Sequence, residues 1–390
     1  TKENAFTLPL ILILMEALLF RRFSLRQWVG AGAVVGVLCL MVLLSSEGLL
    51  ELVDRRTRET PNISRWEYFS HQWIVLWIYL SKVIWPYPQL LDYGIQLDSF
   101  GRSTMVVAGM AHLLCVGLGL ALLRRLPLAT FGILFFYLTH GVESGLIPIR
   151  DLAFEHRNYL PLFGVFLSVG AVILHLKDRS LAATNGSILL FLGLLVFFAQ
   201  ATWARNQMWD NQEALLKYDI THTQGNVRAL YNLAAWYQRN GRYDDSIEAM
   251  KAVVKANQGR LELLHATTYV AALIDLDLHD RALSILDKVL DMPMSPMARA
   301  AFLRQYGTVL TAKADDEAAV DVFEESMIAS PLDYDGGLAY GYSLIKLGRF
   351  SDAKRLLLQL EQRFGERTRL KMLNDVLSHE KKLWEGNPGG

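Results

Sequence analysis

The run Asn232–Asn257, NLAAWYQRNGRYDDSIEAMKAVVKAN, reads as two amphipathic helices joined by a turn at Asn240-Gly241. Leu233, Ala234 and Tyr237 lie on one face of the first helix, and Ser246 and Met250 on one face of the second. Small residues at 234 and 246 let the paired helices approach closely, while the aromatics Tyr237 and Tyr243 fill the space between them. The small position of the second helix recurs at Ala282, Ala319 and Ala353, in steps of 36, 37 and 34 residues. A motif returning at a near-constant interval marks a stacked array, because one helix pair alone cannot bury its apolar face. The stretch SLIKLGRFSDAKRLL repeats the pattern with Gly348, Phe350 and Ala353, and Pro331 in ESMIASP closes the copy before it. The two middle copies depart from it, since Asp277 and Ala314 stand where the outer copies have glycine.

Four such copies between about 227 and 366 resemble the tetratricopeptide family. That resemblance implies a curved α-solenoid whose concave face holds an acceptor polypeptide or partner protein, and which binds rather than catalyses.

Upstream of Trp203 the composition changes. The chain has 390 residues, 52% of them hydrophobic, and nearly all the long uncharged runs lie in this first half. A bilayer span needs about 20 mainly apolar residues. Segments 4–20, 29–46, 104–123, 128–147, 159–176 and 186–203 meet that length approximately. Arg21, Arg22 and Arg26, then Arg124 and Arg125, then Lys177 and Arg179 fall at alternate connections. Basic loops stay cytoplasmic, so the 47–103 stretch, the 148–158 loop and everything after Trp203 are expected on the opposite side. In a bacterium this is a multi-pass inner-membrane protein with a periplasmic repeat domain. Segment 71–88, HQWIVLWIYLSKVIWPYP, breaks the alternation; its tryptophans, Tyr79, Lys82 and two prolines suit an interfacial helix on the external face. The fold expected is therefore all-α. A polytopic transmembrane helix bundle over 1–205 precedes a solenoid over 206–380 and a disordered tail over 381–390. Lysine and arginine balance aspartate and glutamate, so no basic surface argues for nucleic acid. Cys39 and Cys115 both sit in apolar runs as packing residues. No signal peptide is visible ahead of the first apolar run, and the chain reads as the C-terminal portion of a longer protein.

Several ionisable groups share the expected external side: Lys2, Asp92, His140, Glu143, Arg150, Glu155, His156, Arg157 and Tyr159. Charges near membrane depth cost about 2.5–3.5 kcal/mol each on insertion scales and usually mark function. His140 and Glu143 lie one helical turn apart. They could begin a metal site lacking a third ligand, form a buried pair that orients a loop, or touch substrate. Arg150 and Arg157 match the bidentate geometry of a phosphate, or else anchor at the interface and pair with Asp151 and Glu155. His156 could donate to phosphate or assist proton transfer, or be a satisfied loop histidine. Glu155 is the one local carboxylate to consider as catalytic, with a structural role as the alternative. No metal is assigned.

The order of these elements resembles a second family. KENAFTLPLILILMEALLF, the tryptophan- and tyrosine-rich stretch 65–94, FGILFFYLTHGVESGLIPIRDLAFEHRNYLP and ARNQMWDNQEALLKYDI leading into repeats are similar to bacterial relatives of the transmembrane and tetratricopeptide repeat-containing protein O-mannosyltransferases, in the GT-C superfamily. The resemblance implies transfer of a sugar from a polyprenyl-phosphate donor, a substrate rather than a resident cofactor, to a protein hydroxyl on the external face. It makes Arg150, Arg157, His156 and Tyr159 the donor-phosphate pocket, supported by His140, Glu143, Lys2 and Asp92. The acidic catalytic motif of that superfamily would lie ahead of Thr1. The alternative is a non-enzymatic, membrane-anchored repeat scaffold for protein-complex assembly.

Overall fold

A computed structural model describes residues 7–20, 24, 26, 27, 30, 32, 63–145, 148, 149, 151–177, 181–223, 225–365 and 367–386. The expected span 29–46 therefore lies outside the described residues apart from two positions, and so do Lys2, Arg150 and Cys39. Among the described residues every regular element is helical. Two compact units result, Thr1–Asn226 and Val227–Gly390.

The first unit contains α1 (Leu8–Met15, continued by a π turn to Phe20), α2 (Arg65–Ile84), α3 (Arg102–Ala121), α4 (Pro127–His140), α5 (Tyr159–Lys177), α6 (Leu181–Trp209) and α7 (Gln212–His222). Three stretches are long and apolar enough to cross a bilayer, namely Arg102–Ala121, Glu155–Leu176 and Asn185–Trp209. Six spans were expected. Segment 128–147 falls short because α4 stops at His140, where the Gly141–Gly145 stretch turns; at about 1.5 Å per residue its 14 residues reach only about 21 Å. The helix within 4–20 is likewise short, Leu8–Phe20.

Helix α2 runs over 65–84 instead of the expected 71–88. Ser64 and Glu67 form a reciprocal capping box that starts it early. Trp85, extended ahead of Pro86, ends it. One stripe of α2, Tyr68, His71, Gln72, Val75, Leu76 and Tyr79, is buried at helical spacing, while Trp66 and Ile84 face outward.

Helices α4 and α5 make the closest pairing of this unit. An added Cβ at Gly132 would sit 2.3 Å from the Gly164 carbonyl oxygen, and one at Gly164 would sit 2.4 Å from that of Gly132. Ser168 ties the pair by donating from Oγ to the Ala129 carbonyl at 2.9 Å. Small residues that admit backbone-to-backbone approach are how apolar helices associate where no water drives them together.

The second unit is four antiparallel helix pairs and a closing helix: α8 (Val227–Arg239) with α9 (Tyr243–Ala256), α10 (Leu263–Asp275) with α11 (His279–Leu290), α12 (Pro296–Ala312) with α13 (Asp316–Ala329), α14 (Tyr334–Lys346) with α15 (Phe350–Phe364), then α16 (Thr368–Gly386). Ala234, Ser246, Ala282, Ala319 and Ala353 are fully buried, which places the repeating small position at the helix–helix seam. Ser246 satisfies its hydroxyl by donating to the Ala234 carbonyl at 2.9 Å. Successive first helices (α8, α10, α12, α14, α16) touch one another, whereas successive second helices scarcely meet. The stack therefore curves with the first helices on its inner side.

Two expectations about boundaries change. The compact units divide after Asn226 instead of at 205/206, because Asp219 and Asn226 are hydrogen-bonded to the 91–92 backbone of the first unit. The expected tail 381–390 is helical through Gly386, since Leu370, Leu373 and Leu377 of α16 are buried against the last pair.

All four first helices end alike. At Gly241, Asp277, Ala314 and Gly348 φ is +73°, +55°, +62° and +70°. In each, the amide after this residue donates back to a carbonyl five residues earlier: Arg242 to Tyr237, Leu278 to Leu273, Asp315 to Leu310 and Arg349 to Leu344. The middle copies thus adopt the glycine conformation without glycine. A left-handed alanine costs about 1–2 kcal/mol, and aspartate is more tolerant. Ala314→Gly should stabilise the second unit by about 0.5–1 kcal/mol after the extra chain entropy of glycine is deducted, raising its Tm by about 1–4 °C. Asp277→Gly should give less. Thermal unfolding checks this; a fall in Tm for Ala314→Gly would refute it.

Candidate functional site

The polar cluster of the first unit is assembled by α2. Tyr68 donates from its hydroxyl to the Glu143 carbonyl at 2.6 Å, Gln72 donates to the Leu152 carbonyl at 3.0 Å, and Tyr79 accepts from the Phe154 amide at 2.8 Å. Three side chains of one buried stripe thus hold the 141–154 connection. His71 bridges the carbonyls of Glu67 and Leu97, each at 2.7 Å, and so holds the 85–101 connection as well. Burial pushes the Tyr79 phenol up to about 12, and pushes Tyr68 higher despite the opposing Arg157.

The motif FEHRNYLP forms a 3-10 turn, Glu155–Asn158, that runs directly into α5. Its side chains diverge. The Glu155 carboxylate accepts from the Leu90 amide at 2.9 Å and the Tyr93 hydroxyl at 2.7 Å. Burial, and then this carboxylate, hold the Tyr93 phenol far above its usual range. Arg157 turns inward with its side chain 8% exposed: Nη1 donates to the Asp151 carbonyl at 2.7 Å, Nε lies 3.7 Å from Glu143 Oε2, and the guanidinium covers the Phe154 ring. Asn158 is buried, with Nδ2 reaching the Tyr79 carbonyl and Oδ1 facing His140 Nε2, both at 3.4 Å. His140 stacks on Tyr79, and its Nδ1 is buried with no hydrogen-bond partner. His156 is exposed and stacked on Phe154, and Tyr159 is 88% exposed.

Of the expected phosphate group, then, Arg157 is committed inside the protein, His156 and Tyr159 face outward, and Arg150 is outside the described residues. Glu143 meets Arg157, and His140 meets Asn158. Among the described residues no three His, Cys, Asp or Glu side chains are placed to hold a metal.

Asp92 belongs to a separate knot. The Asp219 carboxylate on α7 accepts the Leu91 amide at 3.0 Å and the Asp92 amide at 3.1 Å. Asp92 Oδ1 accepts from the Gly94 amide at 2.8 Å, and Asn226 Nδ2 donates to the Asp92 carbonyl at 2.9 Å. Burial raises the Asp219 carboxyl against the lowering effect of those amides. Lys82, lowered by burial against the pull of Glu155, donates to the Pro88 carbonyl. Sequence reasoning passed over Asp219, Asn226, Gln72 and Tyr68. Their one signal was polarity inside an apolar stripe or at a helix end, which leaves the partner unspecified.

No protein-family profile matches this chain, and no curated protein does. Solved structures give partial likenesses. MamA from Desulfovibrio magneticus RS-1 is 15% identical, with 44% of this chain and 93% of that one covered at a TM-score of 0.35. YrrB, described as a TPR protein with an unusual peptide-binding site, is 14% identical over 47% of this chain and 91% of its own, at a TM-score of 0.37. PilF of Pseudomonas aeruginosa is 16% identical over 49% and 90%, at a TM-score of 0.38. None of them relates the chain to a glycosyltransferase.

Proposed function

We propose that this chain is a membrane-associated adaptor whose repeat unit captures a segment of another protein on its inner face, the apolar helices serving as its anchor. The observation that carries this reading is the curved stack of four helix pairs, whose first helices present the exposed side chains of Thr267, Thr308 and Tyr342 to the hollow. Solenoids of this kind use the concave surface for binding. The transferase reading asks Arg157 to hold a donor phosphate. That guanidinium already donates to the Asp151 carbonyl and lies 3.7 Å from the Glu143 carboxylate, so a donor phosphate would share it with a carboxylate.

A photocrosslinking residue placed at Tyr342, on the inner side, and at Glu324, on the outer side, tests capture in membranes from cells making the chain. A discrete protein adduct is expected at 342 and not at 324. Absence of any adduct at 342 would overturn the adaptor reading. Sugar transfer from a polyprenyl-phosphate donor by these membranes, lost in Arg157→Lys, would replace it with the transferase reading.

A further inference from the structure

Charge in the repeat unit is sorted by layer. The first helices of the four pairs, α8, α10, α12 and α14, carry five cations (Arg228, Arg239, Arg299, Arg304, Lys346) against two carboxylates (Asp275, Asp335). The second helices, α9, α11, α13 and α15, carry seven cations against twelve carboxylates, and α13 alone holds five acids and no cation. Because the first helices form the inner side of the curve, the hollow is the electropositive side of the array and the outer surface the electronegative one.

The repeat steps pick out three rows of first-helix residues, of which Leu338 alone belongs to the buried core. Steps of 36, 37 and 34 carry Tyr231 to Thr267, Arg304 and Leu338; Ala235 to Ala271, Thr308 and Tyr342; and Arg239 to Asp275, Ala312 and Lys346. Within α8 these three positions lie four residues apart, on the face opposite the buried Leu233, Ala234 and Tyr237. The rows offer hydroxyls, small residues and one open tyrosine, with arginine or lysine at three places and one carboxylate.

Two of these cations already face carboxylates within the array. Arg304 Nε lies 3.1 Å from Asp333 Oδ2, yet it is buried without a hydrogen bond to any acceptor. Lys346 pairs with Asp316 at 2.9 Å with its side chain 36% exposed. The partner carboxylates are more enclosed, Asp333 being 16% and Asp316 17% exposed, so an acidic segment would share these cations with the carboxylates already beside them.

We propose that the inner face takes an acidic polypeptide segment, a stretch rich in aspartate and glutamate that reaches Arg239 at one end and Arg304 and Lys346 further along. This rests on the adaptor reading and names the chemistry of its partner. A polypeptide suits the curved row better than an anionic membrane. Backbone groups can meet Thr267 and Thr308, and a side chain can stack on Tyr342 while acids meet the cations, whereas a bilayer surface cannot follow a concave face.

The test is binding of labelled short peptides to the full chain in detergent, read by fluorescence anisotropy. One peptide is Glu/Asp-rich, a second is its Gln/Asn counterpart and a third its Lys counterpart, with anionic phospholipid vesicles as a fourth probe. The acidic peptide should bind at least about 10-fold more tightly than the neutral one and weaken steeply with added salt. Arg304→Glu and Arg239→Glu should each lower its affinity by about 10-fold while the helical circular-dichroism signal stays unchanged. Equal or tighter binding of the neutral or basic peptide would overturn the charge inference and leave the adaptor reading standing. Binding to vesicles with no binding to any peptide would overturn both.

Discussion

Gly132→Ala should destabilise the first unit by about 3 kcal/mol, at the top of the overpacking range, although alanine is otherwise the better helix former by about 1 kcal/mol. The new methyl would lie 2.3 Å from both the Gly164 carbonyl oxygen and Ser168 Oγ. A hydroxyl can rotate away, but a backbone carbonyl inside α5 cannot, so the helices must separate along their whole contact. They would also lose the Ser168 bond to Ala129. Gly170 and Gly193 are the controls, since nothing lies within 4 Å of a Cβ built there; alanine at either should be neutral or mildly stabilising. Thermal unfolding of the detergent-solubilised protein reads the difference. Equal behaviour of Gly132→Ala and Gly170→Ala would show that the α4–α5 approach is not as close as described.

Arg157→Leu should cost about 3 kcal/mol, the low end for removing one partner of a buried pair, because Glu143 keeps 20% of its side chain in solvent. The change removes the guanidinium that faces Glu143, the donor to the Asp151 carbonyl and the cation over Phe154. Adding Glu143→Leu should recover part of the loss, since it removes the carboxylate that the guanidinium faces, and the double-mutant cycle isolates the coupling. Stability in denaturant is the measurement. A residue that serves only to bind a donor phosphate would leave the stability of the empty protein unmoved, so a change below about 0.5 kcal/mol, the range of ordinary surface substitutions, would return Arg157 to that role.

The two histidines of the cluster show how far a residue list goes. His140 and His156 both looked like site chemistry by type and neighbourhood. One is buried between Tyr79, Phe136 and Asn158, and the other is exposed against Phe154. Spacing placed His140 inside the 128–147 run and His156 in the loop after it, but could not say which of the two would be buried.

What this chain's residues determine by themselves is periodic. The recurrence at 246, 282, 319 and 353 specifies the helix pairs, and all four residues are fully buried. The apolar runs at 104–123, 159–176 and 186–203 mark three long helices to within a few residues at most boundaries. Helix periodicity and the packing of a short seam are local, so neighbours within one or two turns carry them. Partner choice is not local. Leu90 and Glu155 are 65 residues apart, and Leu91 and Asp219 are 128 apart. A carboxylate that could bind a cation, a hydroxyl or two amides becomes a strap for one loop only when folding brings those amides to it. The same is true of Arg157, whose guanidinium meets the Asp151 carbonyl and Glu143 only in the folded chain.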